Sequence, residues 1–494
     1  MTTYHQRYHT IVLGVGGMGS AAVYELARRG KRVLGLEKFD IPNTMGSSHG
    51  YTRIIRKAYY EDPSYVMLIQ RAYDLWEEIE RQAGKELLIK TGSLDAGPTD
   101  SWVFKGSQQS CVDHGLVHEV LTGREINLRY PGYQLPEELM GVYQPDGGFL
   151  IPEDSIVSYV EAAHSLGAEI HGRETVLSWE PEGSGVRVFT DRDQYLADRL
   201  VITAGAWNAE ILPFLRGFLQ PERQVLAWLQ PTRPEFFTPG RFPVFNLLVP
   251  EGRYYGFPVH GVPGFKFGKY HHFEEVVQPD QYHREPTLED EVMLRDFASR
   301  YFPQGTGPTM SLVACMFTNS PDKHFIIDLH PEYPQVSFAA GFSGHGFKFA
   351  SVVGEIMADL ADWGSTRHNI QLFNLARFTG QVSELYQDHP ALNRSSRIQR
   401  FSHQRTRRGF HPSRMHSLSP IRTARPGSSH RKALPDLGRP GSLPADRIRS
   451  GSRTGSKRYN RQSPVLSWHP EDPSRFWDTT NPWFWEKDDV KPFW

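Results

Sequence analysis

A chain of 494 residues with 39% apolar side chains and 44 glycines can build a large core and more than one domain, which excludes a single small module. The net charge of −1 hides an asymmetry: residues 391–463 hold 16 Arg and 2 Lys against 2 Asp, a balance of +16, so the body of the chain is acidic. Only two cysteines, Cys111 and Cys315, no apolar leader and no run of about 18 apolar residues point to a soluble protein of a reducing, intracellular compartment.

In chain order, the first predicted elements are a strand over 8–13, a glycine turn over 14–19, a helix over 20–30 and a strand over 33–36. Apolar residues from Val66 to Ile79 recur at helical spacing, which predicts a long amphipathic helix over 65–83. A second βα passage follows, with a helix over 155–167, a strand over 168–171 and an apolar strand over 199–204 that ends in Gly205-Ala206-Trp207. Strand-like runs at 224–230, 254–258 and 264–268 precede a last passage of two strands, 325–328 and 336–340, and a closing helix over 348–361. Alternating α and β elements around a β-rich insert predict an α/β protein: a nucleotide-binding domain interrupted by a second, β-rich domain. After about Phe378, Ser, Arg, Pro, Gly and His dominate and apolar periodicity disappears. Burial there cannot offset an ordering entropy of about 1–2 kcal/mol per residue, so residues 381–494 are expected to form a disordered, basic tail.

Gly14-Val15-Gly16-Gly17-Met18-Gly19 fits G-x-G-x-x-G, follows a strand and opens a helix. Glycines there let the chain turn tightly and let a pyrophosphate approach the free N–H groups and positive dipole end of the helix. Glu37 closes the second strand, where its carboxylate accepts ribose hydroxyls and repels a 2′-phosphate, which disfavours NADP. This fingerprint alone leaves FAD and NAD open. An NAD-dependent dehydrogenase is one rival, and nucleic-acid binding through the Arg-rich stretch is another; that stretch lacks regularly placed aromatics for base stacking, so no specific nucleic acid is expected.

The loop over 43–56, rich in glycine and hydroxyls and ending in two arginines, narrows the choice. With Ser-Ser-His-Gly-Tyr-Thr-Arg-Ile-Ile-Arg at 47–56, Ala-Gly-Ala-Trp-Asn at 204–208, Tyr-Tyr-Gly-Phe-Pro at 254–258, Cys-Met-Phe-Thr at 315–318, His-Phe-Ile-Ile-Asp at 324–328 and Gly-Phe-Ser-Gly-His-Gly-Phe-Lys-Phe at 341–349, residues 8–378 resemble the monomeric sarcosine oxidase family. That family includes N-methyltryptophan oxidase and the peroxisomal sarcosine and pipecolate oxidases.

The resemblance implies a Rossmann-like FAD-binding domain (1–90, 150–220 and 315–380) interrupted by a substrate-binding domain (91–149 and 221–314). It implies FAD contacts at Gly14, Gly16, Gly19, Glu37, Val176, Gly344, Gly346 and Lys348, with a thioether from Cys315 to the flavin. Arg56 and Lys348 match two cations that hold the substrate carboxylate, and Tyr255 and His271 match pocket residues. Lys269 looks like an inserted residue, so His272 is the fallback for His271. His49 and Arg53 match a basic pair beside the flavin ring, and Lys266 matches the lysine of oxygen activation.

The implied reaction passes a hydride equivalent from the carbon next to a secondary amine to the flavin. An imine that hydrolyses is the product, and oxygen is reduced to hydrogen peroxide. Sarcosine-like N-methyl amino acids or L-pipecolate are the expected substrates, with fructosyl amino acids or saccharopine as the alternative. A monomer is expected, without metal or membrane partner. The compartment is expected to be cytoplasmic or peroxisomal, although the chain ends Lys-Pro-Phe-Trp where a peroxisomal tripeptide would stand.

Overall fold

The computed structural model describes residues 7–378; the basic tail anticipated for 381–494 lies outside the described residues. The strand Arg7–Leu13 is almost wholly buried from Thr10 onward, as an apolar run covered on both faces should be. It pairs in parallel with Val33–Leu36 on one side and with Gln194–Ile202 on the other. Glu169–His171 extends this parallel row beyond Val33–Leu36, and Val336–Ala340 extends it beyond Gln194–Ile202. Helix Gly17–Arg28 connects the first two strands and packs against helices Pro152–Ser165 and Ala350–Trp363. Helix Tyr65–Ala83 has the predicted bounds, and it ends at Gly84 in the left-handed conformation that stops helices.

A second sheet of eight strands runs in the order Thr309–Asn319, Gln220–Leu229, Phe265–Lys269, Gly252–Phe257, Val244–Val249, Ser93–Gly97, Met140–Gln144 and Glu119–Thr122. Its pairs are antiparallel except for Val244–Val249 beside Ser93–Gly97. An aromatic core including Phe237, Phe242, Phe245, Phe265 and Phe302 fills one side. The short strands Arg53–Ile55, Gly148–Leu150 and Leu88–Lys90 form a third sheet. Among the described residues no helix is long and apolar enough to cross a membrane.

The structure departs from the sequence reading in instructive places. The first helix starts at Gly17, inside the glycine turn, because Gly16 serves as its N-cap. The hairpin of Val176–Glu182 and Gly185–Thr190, on the edge of the parallel sheet, was not expected, since its outer strand carries Glu180, Pro181 and Glu182 and buries no residue fully. Ser93–Gly97 carries an aspartate and a glycine, poor strand formers, yet every residue in it is buried. Cys315 lies in the long strand Thr309–Asn319.

Candidate active site

A cavity runs past the glycine turn, and its wall there is backbone. Gly14 has φ +83° and Thr203 Oγ1 donates to its carbonyl at 2.8 Å; a Cβ at Gly19 would collide with that same carbonyl. A Cβ added at Gly16 would meet no protein atom within 4 Å, so the turn presents bare backbone to open space. Glu37 is buried beside it, where one carboxylate oxygen accepts the Val15 amide (2.9 Å) and the other the Phe39 amide (3.0 Å). Burial raises the pKa of Glu37. Gly14, Gly16, Glu37 and Val176 all line the cavity, whereas Gly19 lies behind the turn and permits its close packing. This cradle of free backbone at a helix start, with a carboxylate at ribose distance along the sequence, fits a dinucleotide such as FAD.

Farther along, the same cavity is lined by Arg53, Tyr255, Cys315, Gly344, Gly346 and Lys348. Gly344 has φ +79°, and a side chain there would run into the ring of Phe317. Cys315 is buried, with Arg53 Nη2 3.8 Å from its sulfur; Arg53 is steadied by the carbonyls of Thr52 and Ser47, each at 2.9 Å.

Lys266 and His49 do not line the cavity. Lys266 Nζ lies behind the loop and donates to the carbonyls of Gly50 (2.6 Å) and Thr52 (2.8 Å) and to Thr52 Oγ1 (2.8 Å). Burial, then Arg53, lowers its pKa well below the usual lysine range, while Glu153 opposes them. His49 departs from the sequence expectation of a basic pair. Burial, with Arg53, Lys266 and Arg284 nearby, holds its pKa at about 3, so its ring is neutral and Arg53 carries the charge beside Cys315.

The two expected carboxylate-binding cations differ in position. Lys348 reaches the cavity, and its Nζ donates to the His345 carbonyl (2.8 Å); burial, then Arg56, lowers its pKa to about 7. Arg56 is fully buried behind the wall, where it binds Glu61 (2.9 Å) and the Ala58 carbonyl and approaches Asp95 (3.6 Å). Beneath Lys348, His345 Nε2 donates to the Lys323 carbonyl (3.0 Å), which leaves Nδ1 to accept the Tyr59 hydroxyl (2.6 Å).

Neither His271 nor His272 is brought to the cavity. His271 has φ +54°, which turns the chain outward so that its ring binds Glu222 (3.0 Å). His272 is buried against Asp290 (2.8 Å). The residue that lines the cavity is Tyr270. Tyr270 follows directly on the strand Phe265–Lys269, and no motif in the sequence marks it rather than its histidine neighbours. Sequence reasoning also missed Glu61, Asp95 and Arg253, because nothing local marks charged residues that meet only after folding.

Dinucleotide cradle, buried cysteine, lysine and aromatic wall define a flavoprotein oxidoreductase, and a family model described as FAD dependent oxidoreductase matches residues 9–360. The chain is 41% identical over 375 residues to monomeric sarcosine oxidase of Bacillus sp. (strain B-0618), covering 75% of this chain and 96% of that protein. It is 35% identical over 375 residues to N-methyl-L-tryptophan oxidase of Yersinia pestis (strain Pestoides F), covering 75% of this chain and 99% of the relative. Among solved structures, NikD, an unusual amino acid oxidase essential for nikkomycin biosynthesis, matches with a TM-score of 0.65 and 25% identity, over 75% of this chain and 97% of that one. The chain therefore belongs to the sarcosine oxidase and N-methyltryptophan oxidase family of FAD-dependent amine oxidoreductases.

Proposed function

We propose that this enzyme oxidises a small secondary amino acid, a sarcosine-like N-methyl amino acid or L-pipecolate, with oxygen as acceptor. The observation that carries the reading is the convergence of Lys348, Arg53, Tyr255 and Cys315 on the cavity that begins at the glycine turn. When bound, FAD would supply the hydride acceptor and the route for the electrons to oxygen, which leaves as hydrogen peroxide. Gly14, Gly16, Glu37, Val176, Gly344 and Gly346 would hold it, and Cys315, with Arg53 Nη2 3.8 Å from its sulfur, would join it covalently.

Lys348 receives the substrate carboxylate, and Arg56 adds positive charge from behind the wall. Tyr255 and Tyr270 bound the amine side and exclude water. Lys266, held by the Gly50 and Thr52 carbonyls and Thr52 Oγ1, serves the oxygen step, and neutral His49 adds no further positive charge beside it. The enzyme acts as a monomer, cytoplasmic or peroxisomal, with residues 91–149 and 221–314 as its substrate-binding domain and 1–90, 150–220 and 315–380 as its FAD-binding domain. The 41% identity to a monomeric sarcosine oxidase supports both substrate class and assembly.

A peroxide-release assay across sarcosine, L-pipecolate, N-methyl-L-tryptophan and a glycated amino acid tests the reading. Turnover of one of the first three is expected; turnover of the glycated amino acid alone, or of none by a yellow, FAD-loaded protein, overturns it.

A further inference from the structure

Tyr270 is joined to Arg56 by two routes. On one, Arg56 Nε lies 3.6 Å from Asp95, Asp95 Oδ1 accepts from Asn246 Nδ2 (2.8 Å), and Asn246 Oδ1 accepts the Tyr270 hydroxyl (3.5 Å). On the other, Glu61 Oε2 binds Arg56 (2.9 Å), Glu61 Oε1 faces Arg253 Nη1 (3.7 Å), and the Arg253 guanidinium carbon lies 3.5 Å from the centroid of the Tyr270 ring. Six side chains thus close a ring between Arg56 and the aromatic wall.

The backbone explains why these residues meet. Asp95 and Asn246 are register partners on neighbouring parallel strands, and the Tyr270 amide donates to the Arg253 carbonyl at 2.8 Å. Arg253 is the unusual member. Its side chain is largely buried, yet among the described residues it makes no side-chain hydrogen bond to an acceptor; it is compensated by Glu61 and by the faces of Tyr270, Trp102 (5.0 Å) and Tyr60 (5.7 Å). Removing a cation from water in this way is costly unless the surrounding groups fix it in place. Tyr270 lines the cavity next to Tyr255 (4.9 Å between centroids) and Phe317 (5.8 Å), whereas Arg253 stands behind it.

We propose that Arg253 is a positioning residue of the substrate site. It clamps Tyr270 from behind and, through Glu61, sets the aromatic wall at a fixed distance from the carboxylate-binding cations. A substrate anchored by its carboxylate then presents its amine substituent to Tyr255, Tyr270 and Phe317. The inference rests on the proposed amino acid oxidase reading.

The test uses the FAD-loaded enzyme and its Arg253→Ala variant, mixed anaerobically with the best secondary amino acid. Acetate, a carboxylate without an amine, reports on the anchoring cations alone. In the variant the limiting rate of flavin bleaching should fall at least about tenfold, as misplaced reacting groups cost, while the acetate dissociation constant stays within about threefold of the parent. Added ethylguanidinium should restore much of the rate, which a general folding defect would not allow. Should Arg253→Ala fail to fold, Tyr270→Leu, which keeps bulk but removes the ring face, must show the same split between bleaching and acetate binding. Unchanged bleaching, or equal losses in bleaching and acetate affinity without rescue, overturns the proposal while leaving the oxidase reading intact. No bleaching of the parent by any secondary amino acid overturns both.

Discussion

Around Gly14 the cavity wall is largely backbone, and the glycine turn and Glu37 lie within 24 residues of each other. Around Tyr270 it is built from side chains drawn from residues 56 to 348, held by buried charges that satisfy one another. At Gly14 and Gly19 the backbone site has no room for a side chain, whereas the side-chain site depends on charge balance. Substitutions in the two regions should therefore fail in different ways.

The largest effect is expected from Gly19→Val. Its Cβ would collide with the Gly14 carbonyl, so the purified protein should lack visible flavin absorbance altogether; a yellow variant would show that the turn is less constrained than its geometry. Next, Cys315→Ser should release FAD into the supernatant on acid precipitation, whereas the parent should keep it. Lys266→Met should slow reoxidation by oxygen about 100-fold, on the scale of about 2.7–4 kcal/mol for losing a preorganised stabilising group, with bleaching by substrate near normal. If bleaching slows instead, the lysine serves the amine.

On the side-chain wall the losses should be graded. Lys348→Met should weaken carboxylate binding by about 1.5–3 kcal/mol, or about 10- to 100-fold, measured by inhibitor titration. Its pH dependence is the finest test. With a pKa lowered to about 7, first by burial and then by Arg56, Lys348 is protonated below that value and neutral above it. Carboxylate affinity should therefore fall as pH rises above about 7, and Lys348→Met should flatten the profile. The same shift acts on stability with the opposite sign. Between about 7 and the ordinary lysine value of 10.5 the unfolded chain binds more protons at this site, so its contribution makes the native protein more stable as pH rises.

The contrast also explains what could be read from the sequence. The glycine turn, Glu37 and helix Tyr65–Ala83 depend on local spacing, and they were legible to within a few residues. Ser93–Gly97 was not, since its buried Asp95 makes sense only once Asn246 and Ser107 are beside it. Motif resemblance points to His271, with His272 as the fallback, whereas the cavity is lined by Tyr270 and the positive φ of His271 accompanies its pairing with Glu222. Arg56 was expected to hold the substrate carboxylate, whereas its placement behind the wall reflects Glu61 and Asp95, which no motif marks.

The parallel sheet under the glycine turn has a further consequence, for the time course of folding. Its strands come from Arg7–Leu13, Val33–Leu36, Glu169–His171, Gln194–Ile202 and Val336–Ala340, so the first and last are separated by more than 300 residues of chain. Closing such distant pairs is slow, because loop entropy is lost before the contacts form. Thr203, which donates to the Gly14 carbonyl, and Gly344, which lines the far part of the cavity, flank the last two strands. A ribosome that has released only the first half of the protein has exposed the glycine turn but not the cavity it belongs to. Flavin capture is therefore a late event, and a pulse of FAD given to stalled nascent chains should be retained only once the chain extends well past Ala340.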